Sequence, residues 1–365
     1  MRFLEAEIDL KALNHNFQRI KNIVKSVDPA CRIIPIVKAD AYGHGAVEVA
    51  QFFEKQDIFA FGVAFFEEAV ALRQAGIKSK IIVLFDREVE GIFEYNLTPV
   101  IFDFKQVEAL SKEAVRRNTS LSVHIKVETG MGRLGIYDAP CETIRKIAQL
   151  PNIKIEGIMS HLSEAKNREW TAEQINRFKE IQRCVKALGI NPVFHITNSD
   201  GIAYPEALFD AVRPGLMLYG YCQNFDSDLR PCMTVKTKMV DIRKLPAGSP
   251  ISYGRTFITK RDSLIGVIPV GYADGYFRKL SNRAWVIVRG KKAPVIGKVC
   301  MDLTMIDLTD IPEAKVDDEV IVLGESGNEK VTAYDIAEWA ETIPYEVLTS
   351  LGSRAKRKYI KEEET

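Results

Sequence analysis

The sequence predicts an α/β chain: an amino-terminal (β/α)8 barrel of the TIM type followed by a mainly β carboxy-terminal domain. Three observations predict it. At 365 residues and 46% hydrophobic content the chain exceeds one core and can bury two. Between residues 32 and 215, β-rich runs alternate with helical patterns. After Tyr221 the texture changes to short β-rich runs broken by repeated Gly and Pro. The expected boundary gives a barrel over residues 1–230 and a β domain over 231–365.

In order, the candidate barrel strands are Arg32–Lys38, Phe59–Ala64, Lys80–Phe85, Thr98–Phe102, Leu121–Val127, Ile153–His161, Val193–Ser199 and Ala211–Gly215. Apolar residues at mixed three and four spacing predict helices over Ala46–Lys55, Phe66–Ala75, Lys105–Arg117, Cys141–Leu150 and Thr171–Leu188. Asp103 and Thr171 are suited to N-caps, and Gly76 and Gly189 follow expected helix ends. The polar link from Gln223 to Asp228 leads into β-runs Thr234–Asp241, Ser263–Val270, Ala284–Val288, Ala293–Ile296, Leu303–Asp307 and Glu319–Leu323, interrupted by one helix near Ala333–Ala340. Residues Phe3 to Asp9 also read as a strand and are expected to pair with this carboxy-terminal domain.

Composition narrows the function. Fifty basic and 49 acidic residues leave a net charge of +1, so no broad field for nucleic acid or an anionic membrane is expected. Acidic residues in the first nine positions interrupt any signal-peptide core, which predicts a cytoplasmic protein. Six cysteines without CxxC spacing predict free thiols and no zinc site or redox pair, and five histidines form no HExxH pattern. No metal is implied.

Barrel enzymes carry chemistry at the carboxyl ends of their strands. Lys38 ends the first strand after the apolar run Ile33 to Val37, so its amine should project from a strand end, where a lysine can form an imine with a carbonyl compound. Lys126 and Arg133 border strand five, His161 ends strand six, Asn198 and Ser199 end strand seven, and Arg213 to Gly215 end strand eight. There is no Walker-type loop, so a phosphate would fall to the turns Asn198–Gly201 and Arg213–Leu216 after the last two strands.

The segment Val37-Lys38-Ala39-Asp40-Ala41-Tyr42-Gly43-His44-Gly45 resembles the pyridoxal phosphate attachment segment of the alanine racemases, and the similarity continues from roughly residue 3 to 360. Further matches are Glu128-Thr129-Gly130-Met131-Gly132-Arg133-Leu134-Gly135, Arg213-Pro214-Gly215 and Ile251-Ser252-Tyr253-Gly254-Arg255-Thr256. The resemblance implies that Lys38 holds pyridoxal 5'-phosphate, with Tyr42, Asn198, Ser199, Gly215 and Leu216 around its phosphate and Arg213 facing its ring nitrogen. It also implies that His161 links Arg213 to a catalytic Tyr253, and that Arg133 contacts both cofactor and substrate carboxylate. Lys126 matches a lysine that is carbamylated in some members. Met301, within Cys300-Met301-Asp302, would approach the substrate carboxylate, and Tyr345 would narrow the entrance.

A phenol titrates near about 10, so a tyrosine acting as a base near neutral pH needs a neighbour that stabilises its anion. In the family this tyrosine comes from the other subunit of a homodimer. The resemblance therefore implies a two-base racemase interconverting L- and D-alanine, with Lys38 and Tyr253 on opposite faces and a role in supplying D-alanine to bacterial cell walls. A serine or broad-specificity racemase and a non-catalytic pyridoxal phosphate carrier are the alternatives. The sequence departs from the family pattern at Glu128, where aspartate is frequent, at Leu216 and at Lys356.

Overall fold

The computed structural model describes residues 4–224 and 228–361. Phe3 of the expected first strand and Phe225 to Ser227 of the expected link lie outside the described residues. The chain opens with β1 (Glu5–Asp9) and α1 (Leu10–Val27) and then divides into two units, one of which comprises Asn14–Ala41 and Ala46–Leu229.

That unit is the barrel. Its strands are β2 (Arg32–Ile33), β3 (Phe61–Val63), β4 (Ile81–Val83), β5 (Thr98–Ile101), β6 (Leu121–Lys126), β7 (Ile153–Met159), β8 (Val193–His195) and β9 (Ala211–Val212). All eight expected strands are present, in shorter form. Parallel ladders join β3 through β8 in sequence order and β2 to β9. Closure comes from single bonds beyond the regular ladders. Gly62 N donates to Pro35 O and Val37 N to Gly62 O, tying the first strand to the second, while Arg213 N donates to Thr197 O and ties the last to the seventh. Runs such as Ile81-Ile82-Val83 are buried throughout, as strands covered on both faces require.

Between strands lie α2 (Ala46–Phe53), α3 (Phe66–Gln74), α4 (Glu90–Glu94), α5 (Phe104–Arg116), α6 (Pro140–Ala148) and α7 (Arg168–Ala187). Asp103 caps α5 as expected, accepting from Gln106 N at 2.9 Å. The other expected cap is corrected. Asn167, whose side chain accepts from Trp170 N, caps α7, and Thr171 lies one turn inside, bonded to Glu164 O. The ring of Phe194 on β8 packs edge-on against Phe178 of α7, so Phe194 faces the helices and its neighbour His195 faces the barrel interior.

The cysteine reading also needs correction. Cys141 and Cys184 form a disulfide, while Cys31 and Cys300 are free thiols. The pair joins α6 to α7, neighbouring helices whose adjacency is not encoded in a separation of 43 residues.

In the other unit the main sheet runs β16 (Lys291–Pro294), β15 (Trp285–Val288), β18 (Glu319–Ser326), β10 (Met233–Lys238), β1, β20 (Lys356–Ile360), with β19 (Glu329–Val331) paired to β18. β1 is antiparallel to β10 and parallel to β20, and Glu7 forms ion pairs with Lys236 and Lys358 on either side. A three-stranded sheet holds β11 (Asp241–Leu245), β14 (Ser263–Ile268) and β17 (Thr304–Asp307), and β12 (Pro250–Ile251) pairs with β13 (Phe257–Ile258). The expected run Thr234–Asp241 is thus divided between β10 and β11. Helix α8 (Ala333–Ala340) is capped by a Thr332–Asp335 box. A second helix, α9 (Pro344–Arg354), corrects the expectation of one; Pro344 sits at its first position, where no intrahelical donor is lost.

Candidate active site

In the barrel unit the expected strand-end residues come together around a residue not singled out from sequence. Phe85 presents its ring to three cations, with Lys126 Nζ 5.0 Å, Lys38 Nζ 5.5 Å and Arg133 Cζ 5.5 Å from the centroid. Burial, then the Arg133 charge, holds the Lys38 amine below the ordinary lysine range. Burial acts first on Lys126 too, and with Arg133, Arg213 and Lys38 nearby it brings that amine down to about 8. Both shifts favour the neutral amine, the form that attacks carbonyl groups and accepts protons.

The backbone after Lys38 is unusual. Ala39, Asp40, Ala41 and Tyr42 all have φ between 50° and 55°, a left-handed turn that costs L-residues roughly 1–2 kcal/mol each. Glu68 helps to hold it, its carboxylate accepting from Ala39 N at 2.7 Å and from Ala64 N at 2.6 Å, and Asp40 in turn accepts from Ala46 N.

Arg133 belongs to a loop organised by Glu128, which accepts from the amides of Gly130, Met131, Gly132 and Arg133. Burial alone would raise this carboxyl, but the four donors hold it below the usual range. Glutamate thus serves the loop where the family often has aspartate, and its charge is committed to backbone.

Arg213 is buried and, among the described residues, has no carboxylate partner. Burial pushes its guanidinium down to about 9, which leaves it a cation at neutral pH. Nη1 donates to His195 O (2.9 Å) and His195 Nδ1 (2.6 Å); Nη2 donates to Ser160 O, Ile196 O and His161 Nδ1 (3.3 Å). These contacts leave Nε–H, the remaining donor, for another acceptor. Nη2 has two protons for these three acceptors, and because arginine only donates, its longest contact, to His161 Nδ1, favours the tautomer with the His161 proton on Nε2. Burial, then the Arg213 charge, keeps that imidazole neutral.

Ser199 Oγ accepts from Gly215 N at 2.9 Å and Met217 N at 3.2 Å, joining the turns after β8 and β9 and leaving its own proton to donate outward. The Gly215 amide is therefore committed to Ser199. Asn198 caps the same turn, accepting from Gly201 N and donating to Leu162 O.

The other unit holds the remaining expected residues. The rings of Tyr42 and Tyr345 lie 5.8 Å apart. Tyr253 and Met301 are 72% and 54% exposed. Their loops are joined, since Ser252 Oγ donates to Lys298 O at 2.6 Å and touches Cys300 Sγ, while Tyr272 N and Ala273 N donate to Cys300 O and Met301 O. Among the described residues, no His, Cys, Asp and Glu cluster could hold a metal, and no helix is long and apolar enough to cross a membrane.

Two family models, the alanine racemase N-terminal domain over residues 8–223 and the alanine racemase C-terminal domain over residues 232–359, together cover nearly all of the chain. The chain belongs to the alanine racemase family. An alanine racemase of Thermodesulfovibrio yellowstonii is 67% identical over 100% of this chain and 99% of its own. Among solved structures, alanine racemase of Clostridium difficile 630 matches with TM-score 0.91 at 32% identity, covering 99% of this chain and 97% of that one. The Bartonella henselae alanine racemase, solved with covalently bound pyridoxal phosphate, matches with TM-score 0.88 at 29% identity over 99% of this chain and 100% of its own.

Alanine racemases are pyridoxal phosphate-dependent isomerases, and the donor set of this member fits that anionic group. Lys38, Lys126 and Arg133 meet at Phe85, Glu128 is committed to backbone, and among the described residues Arg213 has no carboxylate partner. Positive charge gathered in this way calls for bound anions to offset it.

Proposed function

We propose that the chain is a pyridoxal 5'-phosphate-dependent racemase of alanine that works with two bases as a homodimer. The observation that supports this most is the gathering of Lys38, Lys126 and Arg133 on Phe85. Lys38 would hold the cofactor through Nζ. Ser199, Leu216 and Tyr42 would hold its phosphate, helped by the turns that Asn198 and Gly215 complete, with Tyr345 beside Tyr42. Arg213 would meet the ring nitrogen through Nε, and Arg133 the phenolic oxygen and the substrate carboxylate. When bound, the cofactor supplies an electron sink that acidifies the substrate Cα–H bond.

The chain's own residues then move the proton. In one direction Lys38 Nζ, as the neutral amine, would take the proton from Cα of D-alanine and the Tyr253 phenol would deliver one to the opposite face; in the other, Tyr253 Oη, as the phenolate, would take the proton from L-alanine and the Lys38 ammonium would deliver one. The exposure of Tyr253 and Met301 supports a second subunit as the place where they act, with the Met301 amide toward the substrate carboxylate. Arginine at the ring nitrogen, unlike a carboxylic acid, does not readily give up a proton, which disfavours side reactions such as transamination. Supply of D-alanine for the cell wall and a cytoplasmic location complete this reading.

Solvent-deuterium exchange at Cα, run separately from L- and D-alanine, tests it. Deuterium should enter from both enantiomers with racemisation; faster turnover of serine than alanine, or no exchange, would reject the assignment.

Lys126, with its amine near about 8, has a neutral fraction at mildly alkaline pH that can add carbon dioxide. The resulting carbamate would carry a negative charge toward Arg133. Native-state mass analysis of peptides containing Lys126 should show the added carbon dioxide and lose it on acidification, and an unmodified lysine throughout would remove this feature.

A further inference from the structure

Behind Arg213 runs a series of polar groups, its two histidines buried, that the proposed racemase chemistry does not use. His195 Nε2 lies 2.9 Å from His124 Nδ1 on β6, and the rings cross edge-on at 5.0 Å. Both histidines are fully buried. They meet across β7, where Gly157 leaves the space: a Cβ there would stand 2.3 Å from His124 Nδ1. The register of β7 against β6 slips by one at this point, Val123 pairing with Ile155 and His124 with Gly157, so Glu156 is an extra residue in a bulge. Its Oε2 faces His124 Nε2 at 3.7 Å, and neither atom has a hydrogen-bond partner among the described residues. Its other oxygen binds Lys80, which sits over the Phe59 ring just before β4.

Proton positions follow from one constraint. Arg213 can only donate, so His195 Nδ1 accepts and His195 carries its proton on Nε2; that proton goes to His124 Nδ1, and the His124 proton is left on Nε2, pointing at the carboxylate. We propose that Arg213, His195, His124 and Glu156 form one directional chain through the barrel interior, with the two imidazoles acting as positioning residues that hold the guanidinium from behind. A cation stands at one end and an anion at the other, with two neutral dipoles aligned between them. Burial, ahead of the Arg213 charge, holds His195 neutral; burial, opposed by Glu156 and aided by Lys80 and Arg213, does the same for His124. The catalytic consequence rests on Arg213 facing the cofactor ring as proposed above, while the chain itself does not.

The test uses full-length holoenzyme labelled with 15N-histidine. Imidazole NMR should show His124 and His195 as neutral Nε2–H tautomers, protected from exchange between about pH 6 and pH 8. In E156Q the His124 signal should move most and that of His195 next, with those of His15 and His44 unmoved. The same variant should lower kcat about tenfold with little change in KM and shift the visible absorbance of the bound cofactor, and E156D should restore both. An Nδ1–H tautomer at either histidine, a charged imidazole at neutral pH, or an unmoved His124 signal in E156Q overturns the chain. A moved signal with unchanged kcat and absorbance overturns the positioning role. Failure of α-proton exchange with these NMR signatures intact would reject the racemase reading alone.

Discussion

Tyr253→Phe is expected to keep the visible absorbance of bound cofactor and to lose racemisation by about a thousandfold, within the range that general acid–base groups contribute. The substitution removes one oxygen from a side chain that is 72% exposed, and the loop that carries it is held by Ser252 and Lys298 through contacts the phenol does not make. Folding and cofactor loading should therefore be untouched. The loss should be asymmetric: with Lys38 intact, the α-proton of D-alanine should still wash out slowly, whereas exchange from L-alanine should fall to background. Full activity in this variant would exclude a tyrosine base.

Lys38→Ala should have the larger effect, removing both the covalent anchor and one of the two bases. Borohydride treatment of the loaded variant should fix no cofactor, and racemisation should fall by about 10⁴-fold or more. Lys126 makes this a stringent test. Its amine approaches the same phenyl ring and is brought down to about 8, so it is the competing nucleophile nearest to hand. Cofactor trapped on Lys126 or any other lysine would contradict the assignment of Lys38.

The barrel was legible in the sequence because its strands are short, apolar and regularly separated, and because a strand-end rule picks out Lys38, Lys126, His161, Ser199 and Arg213 without reference to helices. The same rule reaches Phe85, the last residue of an expected strand, but a phenyl ring has no titratable group to mark it as functional, although its face attracts cations. Other features depend on contacts between distant segments. Nothing local in Ala39-Asp40-Ala41-Tyr42 favours a left-handed turn, which tertiary bonds from Glu68 help to impose. His124 and His195 are 71 residues apart and meet only because Gly157 yields space between their strands. Helix α9 is masked in the sequence by its β-rich neighbours, and Tyr345 follows from the family resemblance rather than from its place in the first turn of that helix.

The position of β1 orders the assembly of the protein on the ribosome. Its two ladder partners, β10 and β20, are synthesised more than 200 and 300 residues later. The barrel segment through Leu229 is complete while β1 still has a bare edge on both sides; β10 then covers one of them, and the other stays open until β20, the edge strand of the main sheet, has emerged through Ile360. From the synthesis of β1 until that of β20, the growing polypeptide carries a strand edge able to pair with a foreign strand.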